Sequence, residues 1–127
     1  MVESKPSVVI VSENEDTNNL LSGVFWLKGM ITYKAHDSDE CLNKINNLNG
    51  KVDAVVMSDE IAGDRTAKLI INIKTINQST KILVIGGEQS NKTRILDYGA
   101  DEFALRPISA ENVADKIFNL LVKRQLV

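Results

Sequence analysis

Along this chain, short apolar runs rich in β-branched residues alternate with longer stretches in which apolar positions recur every three to four residues. Ser7 to Val11 is the first run. It is apolar at consecutive positions, which predicts a strand covered on both faces. A helix follows: Leu20, Leu21, Val24 and Phe25 make one stripe, and Gly29 sits where a left-handed stop belongs. Met30 to Ala35 predicts a second strand. Asp37 and Glu40 have capping-box spacing, and Leu42, Ile45 and Leu48 carry a second helical stripe to Asn49-Gly50. Ala54 to Met57 is a third buried strand. From Asp64 to about Asn77, the residues Ala67, Leu69, Ile70, Ile73 and Ile76 share one side of a third helix. Ile82 to Ile85 predicts a fourth strand. Gly86-Gly87 opens a loop, Ser90 is placed to cap a short helix through Tyr98, and Gly99 is its terminator. A fifth strand, roughly Asp101 to Leu105, leads to Arg106-Pro107, and Ser109 is the N-cap of a final helix carrying Val113, Ile117, Leu120 and Leu121.

Five strands alternating with five helices over short loops predict an α/β fold, a doubly wound five-stranded parallel sheet with helices on both faces. In such sheets ligand chemistry gathers outside the carboxyl ends of the strands. The residues there are Ser12, Glu13 and Asn14 after the first strand, Ser58 and Asp59 after the third, Gly86 and Gly87 after the fourth, and Arg106 with Pro107 after the fifth.

A chain of 127 residues fits one domain, with no linker, repeat or low-complexity segment to divide it. At 43% apolar and 25% charged it is ordinary globular material, and at 5% aromatic its core is aliphatic. A net charge of −2 lacks the basic footprint of a nucleic-acid binder. No apolar run approaches the roughly 20 residues of a membrane span. The segment Met1-Val2-Glu3-Ser4-Lys5-Pro6 has no signal-peptide pattern, so a cytoplasmic protein is expected. Cys41, the single cysteine, reads as a small buried apolar residue. His36, with no catalytic or ligand group spaced with it, reads as an exposed loop residue. Trp26 reads as half-buried packing at the border of the first helix. No Ser-His-Asp set, metal cluster or dinucleotide fingerprint is present, so neither an enzyme nor a cofactor is expected. Gly86-Gly87 reads as a tight turn rather than a phosphate cradle, and "SENEDTNN" as a solvated loop and helix start.

Four segments, "VVIVSENEDTNNLL", "VDAVVMSDEIAG", "KILVIGG" and "YGADEFALRPIS", resemble the signature segments of response-regulator receiver domains, the chemotaxis-type flavodoxin-like modules of two-component signalling. The resemblance covers essentially the whole chain, and "GADEFALRP" is its most specific part. It implies strand order 2-1-3-4-5. It places the aromatic that reports phosphorylation in the family on Phe103, and the family proline, often preceded by a cis peptide, on Pro107.

The departures from the family pattern lie at the chemistry. Receivers carry paired acids after the first strand to hold Mg²⁺, an aspartate after the third to accept phosphate, a Ser or Thr after the fourth and a Lys after the fifth. Those positions fall here on Ser12 and Glu13, Ser58, Gly86 and Arg106. Ser58 is a neutral, weak nucleophile without an adjacent base, and Glu13 alone is a thin anchor for an octahedral cation. Asp59 is the alternative acceptor. Its register breaks the five-residue spacings from Asp53 to Ser58 and from Ser58 to Gly63, and strand alternation turns it to the opposite side from Ser58. Glu13 and Arg106, both at strand ends, are expected to converge as an ion pair in place of metal and phosphate.

The resemblance and its departures together imply a degenerate receiver, or pseudo-receiver, acting in phosphorelay-type signal transduction by phosphorylation-independent protein–protein interaction. The alternatives are a relay receiver phosphorylated by a non-standard route at Asp59, and a small flavodoxin-fold enzyme or ligand-binding domain. The chain ends soon after its last helical stripe, so no output domain is expected. Its partner is then a histidine kinase, an output protein or a second copy of itself. By resemblance the partner face is formed by the fourth helix, fifth strand and fifth helix, with Lys92, Arg94, Asp97, Asn112, Lys116, Asn119 and Lys123.

Overall fold

In the computed structural model, residues 5–59 and 65–125 are described, with side chains through residue 122. Gly63 and Asp64, the first four residues and the side chain of Lys123 lie outside the described residues. Five parallel strands, β1 (Ser7–Val11), β2 (Ile31–Ala35), β3 (Ala54–Ser58), β4 (Lys81–Gly86) and β5 (Glu102–Leu105), form one sheet in the order β2-β1-β3-β4-β5. Between and after them run α1 (Glu15–Leu27), α2 (Ser38–Asn47), α3 (Arg65–Ile76), α4 (Lys92–Asp97) and α5 (Ala110–Gln125). This is the doubly wound arrangement expected from the alternation of strand and helix patterns.

The consecutive apolar residues of the strands divide by parity between two cores. Val9, Val11, Val55, Met57, Ile82, Val84 and Phe103 pack with Ile45 of α2, Leu69, Ile70 and Ile73 of α3, and Ile95 of α4. Val8, Ile10, Val56, Leu83, Ile85 and Ala104 pack with Leu21 and Phe25 of α1 and with Val113, Ala114 and Ile117 of α5. Both faces of the sheet are therefore dry, which is why the strands lack polar alternation. Cys41 is fully buried in the first core, and burial pushes its thiol pKa up to about 12, leaving an inert apolar side chain.

Helix caps follow the pattern at two of three positions. Asp37 accepts the Glu40 N–H at 2.8 Å, and Ser109 accepts that of Asn112 at 3.1 Å. Ser90 does not cap α4: it sits within a 3₁₀ turn, Gln89–Asn91, and the N-cap position falls one residue later than expected, on Asn91. The buried stripe of α1 is also turned relative to the apolar pattern. Leu20 is 61% exposed, whereas Asn18 and Ser22 are buried. The Asn18 amide donates to the carbonyls of Ile10 at 3.3 Å, Ser12 at 3.4 Å and Ala35 at 3.0 Å, and its oxygen accepts from Ser22 at 3.3 Å. Backbone carbonyls near the ends of β1 and β2 thus draw a polar side chain into the interface, and the Asn18 amide is buried with its hydrogen bonds made. Trp26, expected half-buried, is 67% exposed, and Ile76 of α3 also reaches solvent.

Candidate functional site

The carboxyl ends of β1, β3, β4 and β5 carry the candidate residues, and Arg106 organises them. Its backbone N–H donates to the Gly86 carbonyl at 2.8 Å, fixing the chain just past β5 against the end of β4. A cis peptide to Pro107 follows. From there the side chain crosses the end of β4 to reach β3. Nη1 donates to the Ser58 hydroxyl and the Ile85 carbonyl, each at 3.2 Å, and Nη2 donates to Asp59 Oδ1 at 3.1 Å. The other oxygen of Asp59 accepts the Gly87 N–H at 3.4 Å. The ion pair is partly enclosed, with side chains 33% and 20% exposed.

The expected partnership of Arg106 with Glu13 is not formed. Glu13 is exposed at the end of β1, and in the observed strand order both β3 and β4 lie between β1 and β5. Asp59, on β3's end, is the nearer carboxylate. Strand alternation still separates Ser58 from Asp59: Ser58 lines a cavity of about 350 Å³ with Ser12, Asn14, Leu20, Arg106 and Pro107, and Asp59 lines another between α3 and α4. The guanidinium is long enough to span the two sides, which the expectation that Asp59 turns away from the site did not allow for.

Gly86 sets a second constraint. A Cβ at this position would lie 2.5 and 2.6 Å from ring carbons of Phe103 and 2.7 Å from Asp59 Oδ2. Glycine is required here because a ring and a carboxylate occupy the volume a hydroxyl side chain would fill. Phe103 is correspondingly buried, 7% exposed. Ser12, 4% exposed, serves the local chain, its hydroxyl accepting the Asn14 N–H at 3.2 Å. Asn14 in turn caps α1 through the Thr17 N–H at 2.9 Å.

These donors do not fit Mg²⁺. Two of the three positions facing the site bear serine, Glu13 points to solvent, and Asp59 is held by a guanidinium. Among the described residues no group of three His, Cys, Asp or Glu could hold a metal.

Two polar features escaped the sequence reading. His36 is partnered after all: Nε2 lies 2.6 Å from Glu15 of α1 and Nδ1 3.2 Å from Glu40 of α2, and hydrogen bonds to these two carboxylates, Glu15 first, raise its pKa above the ordinary 6.5. The spacing of four from His36 to Glu40 was readable in the sequence, but the contact with Glu15 needs the fold. Of the expected partner face, Lys92, Arg94, Asp97, Asn112 and Asn119 are exposed, whereas Lys116 is drawn to Glu102 at 2.9 Å.

The sequence matches no protein-family model and no curated protein. By structure the chain is similar to a response regulator receiver domain protein from Clostridium thermocellum, at TM-score 0.85 and 16% identity over 95% of this chain and 98% of that one. It is similar also to a CheY-like receiver domain protein from Methanospirillum hungatei, at TM-score 0.84 and 17% identity over 96% and 98%. The receiver domain of Francisella response regulator 1452 aligns at TM-score 0.83 and 20% identity over 94% and 99%. The fold is the receiver fold. Its strand order and five helices agree with the expectation from sequence, and no described helix is long and apolar enough to cross a membrane.

Proposed function

We propose that this chain is a pseudo-receiver: a cytoplasmic signal-transduction module that works by binding another signalling protein, without phosphoryl transfer and without catalysis. The observation that carries this reading is the internal closure of the site. Arg106 is bonded to Ser58 and Asp59, and the Phe103 ring and the Asp59 carboxylate fill the space beside Gly86. A receiver that switches needs those donors free for an incoming phosphoryl group and a cation to neutralise it. Here one positive and one negative side chain are bonded to each other instead. In this reading Phe103 stays buried, and the face bearing Lys92, Arg94, Asp97, Asn112 and Asn119 is held in one state for a kinase, an output protein or a second copy.

A second reading is favoured by one observation: the Asp59 carboxylate already has a guanidinium and a backbone N–H beside it, the kind of donors that receive phosphoryl oxygens. One experiment separates the two. Incubation with acetyl phosphate and Mg²⁺ leaves the protein unlabelled under the first reading. Base-labile label that disappears in Asp59→Asn establishes the second and removes the first.

A further inference from the structure

The cavity between α3 and α4 lies on the opposite side of Asp59 from the closed site. It measures about 450 Å³ and is lined by Asp59, Thr66, Ala67, Asn91, Arg94, Ile95 and Tyr98. Thr66, near the start of α3, is 6% exposed, and its hydroxyl has no hydrogen-bond partner among the described residues. A buried hydroxyl without a partner is costly, and hydroxyls in this position ordinarily bond a neighbouring carbonyl, water or ligand. Across the cavity Arg94 is steadied by a hydrogen bond from Nη2 to Asn91 at 3.0 Å, which leaves further N–H groups of its fork to donate. Ala67 and Ile95 supply an apolar wall, and the Tyr98 ring stands at the rim, 38% exposed.

We propose that this cavity binds a small aliphatic carboxylate, its oxygens accepting from the Thr66 hydroxyl and the Arg94 guanidinium and its carbon chain resting on Ala67 and Ile95. Charge decides the class. Asp59 shares the cavity but is paired with Arg106, so among the described lining residues Arg94 is the cation left to balance the ligand. One negative charge suits it, whereas a phosphate group, carrying about −1.5 to −2 at neutral pH, would meet Asp59 with an unbalanced charge. A ligand in this seat joins α3 to α4 through Thr66 and Arg94. A handful of heavy atoms sets the expected dissociation constant in the roughly millimolar range.

The test is an amide-resolved NMR titration of the full chain with butyrate, and in parallel with inorganic phosphate. Saturable shifts on Thr66, Ala67, Ile95 and Tyr98 with butyrate, and weaker binding of phosphate, are expected. Thr66→Val keeps the shape while removing the hydroxyl, and Arg94→Gln removes the charge. Each should weaken butyrate about tenfold or more, while Lys92→Gln on the same helix leaves it unchanged. Because the Thr66 hydroxyl has no partner among the described residues, Thr66→Val should also leave the unliganded fold no less stable, so a lost signal in that variant is lost binding. Non-saturating shifts, tighter phosphate binding, or equal weakening by Lys92→Gln would each overturn the proposal. None of these outcomes depends on whether Asp59 takes label from acetyl phosphate.

Discussion

The two edges of the sheet use the same residue types for opposite ends. At the amino edge, carboxylates hold backbone. Asp53 accepts the Ser7 N–H at 2.8 Å, and Asp101 accepts the Ile82 N–H at 2.8 Å and the Lys74 ammonium at 2.9 Å. Lys74 also donates to the Thr80 carbonyl at 2.7 Å, and the Thr80 hydroxyl to that of Val52, again at 2.7 Å. Each polar group there closes a strand end. At the carboxyl edge Asp59 and Arg106 face two cavities and bond each other and Ser58, besides the Ile85 carbonyl and the Gly87 N–H. The amino edge resists change because most of its partners are main chain, which cannot move away. The carboxyl edge adds a bridge from one side chain to another, which can, and that is where an open α/β sheet gathers its ligand chemistry.

The comparison predicts that the largest loss comes from the amino edge. Asp101→Ala removes the acceptor shared by an ammonium and a strand N–H, both largely enclosed, and should destabilise the fold by about 2–4 kcal/mol. Chemical denaturation with the slope unchanged measures it. A loss no greater than that of Arg106→Ala would erase the distinction between the edges.

Next in size is Gly86→Thr, which places a branched side chain where the Phe103 ring and the Asp59 carboxylate already stand. Overpacking of this kind costs about 1–3 kcal/mol, and the ring has to leave its buried position. Phe103 ring resonances that change environment in Gly86→Thr, with the sheet intact, would show that glycine is what keeps the ring inside. Pairing the substitution with Phe103→Ala should recover part of the loss, since the two side chains compete for one volume.

Arg106→Ala follows. It leaves Asp59 with the Gly87 N–H at 3.4 Å and exposes the Ser58 hydroxyl to the cavity. With the guanidinium a third exposed, the cost is about 1–2 kcal/mol rather than that of a fully buried pair. Arg106→Lys should restore only part, because an ammonium does not present a planar fork to Ser58 and Asp59 together. Full rescue by lysine would mean that charge alone, not the bridge across β4, matters.

How much of this was legible beforehand divides along the same line. Strand and helix counts follow from apolar period, strand order is what the receiver resemblance implies, and the caps at Asp37 and Ser109 follow from local chemistry, so all three were readable. The pairing of Arg106 was not. The expected order already separates β1 from β5, which argues against Glu13, but that the Arg106 side chain reaches past Ser58 to Asp59 depends on side-chain geometry that no sequence pattern carries. Asn18 was hidden for a similar reason: its partners are carbonyls of two strand residues, Ile10 and Ala35, and of Ser12 just past β1, which no periodicity in α1 can announce. Gly86 looked like a turn residue, and only the position of Phe103 shows that it is a space left for a ring.

The smallest expected effect belongs to His36, where the carboxyl edge is held by an exposed contact. Its ring joins Glu15 at the start of α1 to Glu40 in the first turn of α2. Both carboxylates favour the imidazolium, so the folded pKa is raised above the unfolded value of about 6.5. The sign follows: a group that binds its proton more tightly when folded contributes fully below its unfolded pKa and loses that contribution as pH rises through the folded pKa. The melting temperature of the natural chain should therefore exceed that of His36→Gln slightly in mild acid, and the two should converge in mild alkali. Added salt should shrink the acid-side difference, since the contact is open to solvent. An NMR titration of the imidazole gives the sharper reading. The Glu15 contact is the larger cause, so Glu15→Gln should lower the His36 midpoint more than Glu40→Gln does. Equal effects, or a difference that persists in alkali, would mean that His36 joins the two helices by packing and not by charge.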